Sequence, residues 1–160
     1  MDQRDTEYDA IVVGGGPSGA TAAHVLSRNG AKVLVLDRHH FPRQKLCGGF
    51  LTEKAVRVVE RLYGASPEDL LASGAIDAES RQYSLLYRSH PLLSGQSDIP
   101  FRFVDRERFD LYLIDKAKAS GATLLEGDPV VDCDTGRGTV RTKAGKTYRG
   151  RALVGADGVS

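Results

Sequence analysis

The sequence contains no tryptophan, one methionine and two cysteines among its 160 residues. Two cysteines are too few for a disulfide framework and fit a reducing compartment, so we expect a cytoplasmic protein. No apolar run approaches the roughly 20 residues that a membrane-spanning helix needs. Neither sign of charge dominates, since 22 Lys and Arg face 21 Asp and Glu. A net charge of +1 excludes a chain-wide basic field, and we expect no nucleic-acid partner.

Glycine, by contrast, is abundant, with 18 copies, and several follow an apolar segment near the start of the chain. Residues 8–13 are mostly apolar, as expected of a strand in a buried parallel sheet. The Ala-rich segment 20–28 predicts a helix that Asn29-Gly30 ends, and residues 32–36 predict a second apolar strand. This order predicts a βαβ unit with a glycine turn between its first strand and its helix.

The glycines of that turn have the spacing Gly14-x-Gly16-x-x-Gly19. Gly14 permits the tight turn, Gly16 lets the backbone approach a diphosphate, and Gly19 lets the helix pack closely against the strand. The N-terminus of the helix offers unpaired N–H groups and the positive end of the helix dipole. Ser18, in the turn before it, is also a candidate for binding the cofactor. The pattern therefore predicts a dinucleotide site at this turn.

Asp37 ends the second predicted strand, 23 residues after Gly14. A carboxylate at this position accepts hydrogen bonds from ribose hydroxyls and repels a 2′-phosphate. The neighbouring Arg38 is the residue type that an NADP site uses. A solvated side chain is the simpler interpretation of Arg38, and we keep it among the nucleotide-binding candidates. The glycine turn and the acid alone leave FAD and NAD both open.

The rest of the chain extends this α/β pattern and predicts a Rossmann-like domain with a parallel sheet and a β-meander. The β segment 76–104 is interpreted as the start of a substrate-side region. A parallel strand that ends at a glycine turn is normally followed by a helix. Because nothing follows Ser160, we expect the N-terminal part of a longer protein, without its C-terminal substrate region. The remaining predicted elements are a loop at 38–51, helices after Thr52 and Ser66, strands at 82–87 and 100–104 around a loop at 90–98, a helix from Asp105 to Gly121, a strand at 123–125, a meander at 128–149 and a strand at 152–156.

Three further segments carry recognisable patterns. Asp157-Gly158 follows the last predicted strand. Residues 106–113 read Arg-x-x-Phe-Asp-x-x-Leu, and residues 42–49 read Pro-x-x-Lys-x-Cys-Gly-Gly. Together they resemble the FAD-dependent oxidoreductases that are built like the aromatic hydroxylases, and most closely the geranylgeranyl reductase family. The resemblance covers essentially all of this chain but only the first part of a typical family member.

The resemblance implies an FAD-binding domain and assigns roles to residues of this chain. Asp157 and Gly158 are expected near the FAD diphosphate and ribityl chain, and Arg106 is expected to contact the flavin nucleotide. Arg108 competes with Arg106 for that role. There are simpler interpretations, because Asp-Gly is a common turn pair and Arg106 has the i,i+4 spacing for a surface ion pair with Asp110.

By the same resemblance, the loop with Cys47, Gly48 and Gly49 runs beside the isoalloxazine ring. The glycines let the backbone lie flat against the cofactor. Cys47 is expected to face the flavin or the alkene, which makes it the candidate catalytic residue. A small buried thiol is the simpler interpretation, and it is the one that we keep for Cys133. We also expect Val130, at the start of the meander, to contact the cofactor.

The implied activity is reduction of carbon–carbon double bonds in isoprenoid (geranylgeranyl) chains, by hydride transfer from the reduced flavin. The expected partners are an isoprenoid or other apolar substrate and an external electron donor, either NADPH or a ferredoxin-like protein, which the sequence leaves undetermined. An FAD-dependent monooxygenase or halogenase is one alternative, and a non-catalytic dinucleotide-binding fragment is another. The 160 residues alone are expected to be inactive.

A histidine pair and a run of basic residues are weaker signals in the sequence. His39-His40 lacks the spacing of further ligands that a metal site needs, so we expect no metal. A run of cations without intervening acids predicts a solvated face, and peripheral contact with anionic lipid headgroups of a membrane is the alternative. The cations of this run are Arg137, Arg141, Lys143, Lys146, Arg149 and Arg151.

Overall fold

A computed structural model describes residues 7–158 of the chain. They form two compact units, one made of the residues up to Gln44 and from Asp110 onward, the other of Lys45–Phe109. The elements in chain order are β1 (Glu7–Val13), α1 (Pro17–Arg28), β2 (Val33–Asp37), β3 (Phe50–Leu51), α2 (Glu53–Tyr63), α3 (Pro67–Ala72), β4 (Ala78–Tyr87), β5 (His90–Phe103), α4 (Arg106–Ala119), β6 (Thr123–Glu126), β7 (Val130–Asp134), β8 (Thr139–Thr142) and β9 (Thr147–Gly155).

The first unit contains a six-stranded sheet with the order β6-β2-β1-β9-β8-β7. The pairs β6·β2, β2·β1 and β1·β9 are parallel, whereas β9·β8 and β8·β7 are antiparallel. The predicted α/β fold, with its parallel sheet and its meander, is therefore confirmed. Val13 of β1 lies opposite Gly155 of β9. The carboxyl ends of these two strands are neighbours, and ligands of open α/β sheets bind at that end.

The two faces of β1 pack against different parts of the first unit. Ile11 belongs to an apolar cluster with Leu36 and Val140, so the meander strand β8 contributes to that side of the sheet. Val12 points to the opposite face, because successive side chains of a strand alternate. There a Cβ placed on Gly19 of α1 would lie 3.1 Å from Val12 Cγ1. The small residue lets α1 approach the strand closely.

Two predicted boundaries in the first unit are wrong by a few residues. Helix α1 begins at Pro17 rather than at residue 20, since proline suits the first position of a helix. Ser18 and Gly19 therefore lie inside its first turn. The strand predicted at 152–156 is the end of β9, which starts at Thr147 and continues directly from the meander.

The second unit contains a three-stranded antiparallel sheet with the order β3-β5-β4. The predicted loop at 90–98 is wrong, since these residues belong to β5. Strands β4 and β5 turn at Arg88 and Ser89, both with positive φ (45° and 68°). This turn lacks the Asn-Gly or Asp-Gly pair that announces a tight hairpin. Pro91 and Gly95, which favoured a loop, lie in the ladder of the hairpin.

A buried arginine joins three elements of the second unit. Arg102 of β5 is 8% exposed. Its Nε donates to Glu79 of β4 at 2.8 Å, and its Nη1 donates to Glu53 of α2 at 2.7 Å. The hydrogen bond from Arg102, followed by one from Arg57, lowers the pKa of Glu53 below its usual value. A carboxyl whose pKa is lower in the folded state stabilises the fold above its unfolded pKa and loses this effect as the pH falls.

We therefore expect Arg102→Met to lower the melting temperature at pH 7 by roughly 5 °C, because both glutamates lose their buried partner. The difference from the wild type should shrink as the pH falls through the folded pKa of Glu53, where protonation removes the ion pair from the wild type as well. Arg57→Met is the matched control, since Arg57 binds the same carboxylate at 3.3 Å but is exposed. Thermal melts between pH 3 and about 7 measure both effects, and a pH-independent difference would contradict the assignment.

Candidate cofactor-binding site

The glycine turn joins β1 to α1 at the carboxyl end of the parallel sheet. Gly14 has a φ of +99°, and its N–H donates to the carbonyl oxygen of Leu36 at 2.8 Å. A Cβ on Gly14 would collide with the carbonyl oxygen of Ala156, and a Cβ on Gly19 would overlap the carbonyl oxygen of Gly14. These two glycines are required by the packing of the turn itself.

Gly16 differs from both, because the fold leaves space beside it. It is the N-cap residue of α1 with extended backbone (φ −67°, ψ −174°), and no side chain of the described residues caps the helix there. A Cβ on Gly16 would meet only Nη2 of Arg43, at 3.4 Å. The first-turn N–H groups of a helix have no intrahelical acceptor, and they attract anions together with the helix dipole. Ser18 is exposed in this first turn.

The structure brings the Asp157-Gly158 segment next to the glycine turn. The N–H of Ala156 donates to the carbonyl oxygen of Val13 at 2.8 Å, which continues the pairing of β9 with β1 beyond the strand. The Cα atom of Asp157 would lie 2.8 Å from a Cβ on Gly14. Asp157 is exposed, and Gly158 has a φ of +77°. Two segments separated by more than a hundred residues thus meet at one edge of the sheet.

Asp37 lies at the end of β2 and is 5% exposed. Its Oδ2 accepts the N–H of Gly15 at 2.7 Å, and its Oδ1 accepts the N–H of His39 at 2.9 Å. Each carboxylate oxygen can accept a further hydrogen bond, so ribose binding by Asp37 stays a prediction that these contacts permit. Arg38 is exposed, and its Nε donates to Nε2 of His39 at 3.2 Å. This contact agrees with the solvated interpretation of Arg38.

A residue that the sequence analysis did not single out lies over the turn. The side chain of Arg43 is 14% exposed, with Nε 3.9 Å from Oδ1 of Asp37 and Nη2 3.7 Å from Oδ2 of Asp110. Its guanidinium lies 5.1 Å from the ring centre of Phe41. Its Nε is buried and has no hydrogen-bond partner among the described residues. Arg43 lies within segment 42–49 and Asp110 within segment 106–113, the two segments with recognisable patterns. Their places in these segments are the signal by which the sequence could have identified them.

The remaining predicted residues of the cofactor loop belong to the second unit. Cys47 and Gly48 are exposed. Gly49 has a φ of +71°, and its carbonyl oxygen accepts the N–H of Val104, the residue after β5, at 2.8 Å. A Cβ on Gly49 would lie 2.8 Å from the carbonyl oxygen of Val104, whereas a Cβ on Gly48 would meet no atom within 4 Å. Of the two glycines, only Gly49 is required by the local fold.

Arg106 is the first residue of α4 and is half-buried. Asp105 caps the start of this helix, because its side-chain oxygen accepts the N–H of Glu107 at 2.8 Å. Arg108, the competing candidate, is exposed and forms an ion pair with Asp77 at 3.0 Å. This pair gives Arg108 a structural partner in its own unit. Contact of Arg106 with the flavin nucleotide stays a prediction of the resemblance.

The half-buried Val130 packs against the apolar cluster of the six-stranded sheet, and its contact with the cofactor stays a prediction. Cys133 is exposed, so the expectation of a buried thiol is wrong for this residue.

Across residues 7–158 no group of three potential metal ligands occurs. No helix within this range is long and apolar enough to cross a membrane. Of the basic run, Arg137, Arg141 and Arg151 form ion pairs with acids.

The donor set of the first unit fits a dinucleotide with a diphosphate. Space beside Gly16, the amides at the start of α1 and the unpaired Nε of Arg43 all favour an anion. The buried carboxylate of Asp37 lies beside them and suits a neutral ribose hydroxyl.

Comparison with known proteins agrees with this fit. The family described as FAD binding domain matches residues 7–160. The geranylgeranyl diphosphate reductase of Rhodobacter capsulatus is 34% identical over 160 residues, which covers 96% of this chain and 38% of that protein. The 1H-pyrrole-2-carbonyl-[peptidyl-carrier protein] chlorinase of Pseudomonas fluorescens is 26% identical over 180 residues, which covers 96% and 40%.

Among solved structures, a tetrameric form of 2-methyl-3-hydroxypyridine-5-carboxylic acid oxygenase is similar with a TM-score of 0.78 and 26% identity. The similarity covers 97% of this chain and 40% of the oxygenase. The chain spans 38–40% of the length of these three proteins. A reductase, a halogenase and an oxygenase share the fold.

Proposed function

The chain belongs to the FAD-binding domain family, and on that premise we propose that it provides the cofactor site of a reductase for carbon–carbon double bonds in isoprenoid chains. The observation that carries the proposal is the segment 42–49, with its Pro-x-x-Lys-x-Cys-Gly-Gly pattern. The pattern resembles geranylgeranyl reductases, and identity is higher with the Rhodobacter capsulatus reductase (34%) than with the chlorinase (26%).

The residues of the first unit would hold the nucleotide half of FAD. The backbone at Gly16 and the first turn of α1 would bind the diphosphate, since a helix N-terminus stabilises negative charge. Asp37 would accept the ribose hydroxyls through the lone pairs that Gly15 and His39 leave open. The exposed Asp157 and Gly158, next to Gly14, would bind the part of the cofactor that continues from the diphosphate.

The resemblance assigns the flavin end of the cofactor to Arg106 and to the segment of Cys47, Gly48 and Gly49. Reduced FAD supplies a hydride when it is bound. Arg106 would bind the flavin nucleotide, and the open space beside Gly48 would let the backbone lie against the ring. Cys47 is exposed, as a residue that meets a substrate must be, and it would orient the alkene. An apolar substrate and an external electron donor complete the proposed reaction.

A halogenase or an oxygenase is the second candidate, and the fold similarity to the pyridine-carboxylate oxygenase favours it. The two classes differ in their need for oxygen. A reductase saturates its substrate anaerobically, whereas the halogenase and the oxygenase require oxygen.

A pair of chimeras separates the two candidates. This chain replaces the matched region of the Rhodobacter capsulatus reductase in one chimera and of the Pseudomonas fluorescens chlorinase in the other. We expect the reductase chimera to retain FAD and to saturate geranylgeranyl diphosphate anaerobically under a chemical reductant. We expect the chlorinase chimera to retain FAD without halogenating its substrate. An FAD-loaded reductase chimera that is inert, beside a chlorinase chimera that halogenates, would overturn the proposal.

Within the reductase chimera, Cys47→Ala should retain FAD and slow reduction by roughly 10-fold or change its extent, because the side chain is proposed to orient the alkene. Cys133→Ala is the matched control, since this thiol is also exposed but lies on a meander strand. Product analysis by mass spectrometry and the absorbance of bound flavin measure the two effects separately. If the rate and extent of reduction are unchanged in Cys47→Ala, this thiol does not take part in the reaction.

A further inference from the structure

The guanidinium of Arg43, in the first unit, lies close to two carboxylates but is not fully hydrogen-bonded. Two buried carboxylates face it, since Asp110 is 0% and Asp37 is 5% exposed. The two N–O distances, 3.7 Å and 3.9 Å, are those of ion pairs and exceed hydrogen-bond lengths. Nε has no acceptor within the described part of the chain. A buried charged donor without an acceptor is costly, so this arrangement suits a ligand that supplies one.

The position of the guanidinium indicates where that ligand lies. Nη2 of Arg43 is 3.4 Å from the place of a Cβ on Gly16, the residue at the N-cap of α1. The Phe41 ring supports the guanidinium from one side and would lie 3.2 Å from a Cβ on Gly15. The N–H of Phe41 in turn donates to Oε1 of Glu126 at 2.9 Å, which fixes this segment to the end of β6. Arg43 is thus held over the glycine turn.

The two carboxylates have different relations to the arginine. Asp37 already accepts two backbone N–H groups, from Gly15 and His39. Asp110 approaches the terminal nitrogen Nη2, which is also the atom nearest to Gly16. Asp110 is therefore placed to orient the guanidinium toward the turn. An arginine so oriented presents two parallel N–H groups, which match the oxygens of a phosphate.

We propose that Arg43 binds the diphosphate of the dinucleotide at the glycine turn, and that Asp110 is the positioning residue that holds Arg43 there. The proposal rests on cofactor binding at this turn and is independent of the reaction that the cofactor serves. The diphosphate would supply the acceptor that Nε lacks. Together with the N-terminus of α1, the guanidinium would balance its negative charge.

FAD affinity, measured on the full chain by equilibrium titration of flavin fluorescence, tests this assignment. Arg43→Gln should weaken binding by roughly 10- to 100-fold, the range for losing a buried charge-assisted contact. Arg43→Lys should recover only part of this loss, because an ammonium lacks the planar fork. Arg151→Gln is the matched control. It removes an exposed arginine of the first unit that pairs with Asp9 at 3.3 Å, and it should change the affinity by less than about 2-fold.

The positioning role of Asp110 is tested by a double-mutant cycle. Asp110→Asn alone should weaken FAD binding by roughly 5-fold, and it should have no further effect in the Arg43→Gln background, since it acts through that residue. The FAD affinity of the wild type should also fall more steeply with added salt than that of Arg43→Gln. Thermal melts of each variant establish that the chain remains folded.

Two results would overturn the proposal. One is Arg43→Gln with wild-type affinity and salt dependence. The other is an effect of Asp110→Asn that persists undiminished without Arg43, which would mark Asp110 as a structural residue only. Neither result bears on double-bond reduction, because no turnover is measured. If Gly16→Val leaves FAD binding intact, the proposal that the cofactor binds at the glycine turn is wrong, whatever the role of Arg43.

Discussion

Gly16→Val is expected to abolish FAD binding while the protein remains folded. The valine fits the folded chain, because Gly16 has an ordinary φ of −67° and a Cβ there would meet only the flexible end of Arg43. The added methyl groups occupy the space through which the backbone must approach a diphosphate. We expect FAD affinity to fall by at least about 100-fold. Flavin fluorescence titration measures the loss.

The melting temperature of Gly16→Val separates this effect from unfolding. It should lie within a few degrees of the wild type, because replacing a glycine by a valine at an N-cap costs about 1 kcal/mol, which lowers the melting temperature by roughly 2–4 °C. A variant that binds FAD like the wild type would show that the diphosphate lies elsewhere. A variant that is unfolded would show that the space beside Gly16 is not open.

Gly19→Val, the same substitution three residues later in the turn, is expected to destabilise the fold itself, whereas Gly16→Val leaves the protein folded and blocks the cofactor. A Cβ on Gly19 would overlap the carbonyl oxygen of Gly14 and lie 3.1 Å from Val12 Cγ1. Since both neighbours belong to β1 or to the turn that follows it, neither can move without disturbing the sheet. The cost should reach or exceed the upper end of the roughly 1–3 kcal/mol that is typical of overpacking, a large part of the roughly 5–15 kcal/mol that holds a domain together.

Thermal melts followed by circular dichroism, together with protease resistance, test the loss of stability in the absence of the cofactor. We expect Gly19→Val to melt far below the wild type or to be cleaved readily at 25 °C. Excess FAD should restore little of the lost stability, because the defect lies between α1 and β1. A Gly19→Val variant as stable as the wild type would contradict the close packing of the helix on the strand.

The glycine turn was predictable because its determinants are local in the sequence. The strand, the three glycines, the helix and Asp37 follow one another within 30 residues, and each has its own pattern. The Asp157-Gly158 segment was also placed at the end of a strand by its sequence. Its contact with Gly14 required the parallel pairing of β1 and β9, which is a property of the sheet.

Arg43 was not singled out because no periodic pattern marks it. It lies in a segment with neither helical nor strand spacing, and its partner Asp110 follows 67 residues later. Asp110 looked like the acid of a surface pair with Arg106, although it directly follows the buried Phe109. Only the folded first unit makes it a partner of Arg43, with its Oδ2 3.7 Å from Nη2 of the arginine.

The β4–β5 hairpin was missed for a different reason. Pro91 and Gly95 disfavour a strand in the sequence, yet Gly95 gives room for the ring of Tyr83 across the ladder. The alternation of apolar and polar residues is also lost, because Leu85 and Leu86 are adjacent and both exposed. Cross-strand contacts of this kind override local propensity.

Equilibrium binding of FAD and NAD to the purified chain tests the central claim most directly. The titration follows flavin fluorescence as FAD is added, and then adds NAD in large excess as a competitor. We predict saturable binding of one FAD per chain, which NAD does not displace and which Gly16→Val removes. A chain that binds NAD and leaves the fluorescence of FAD unchanged would contradict the assignment of this fold to a flavoprotein.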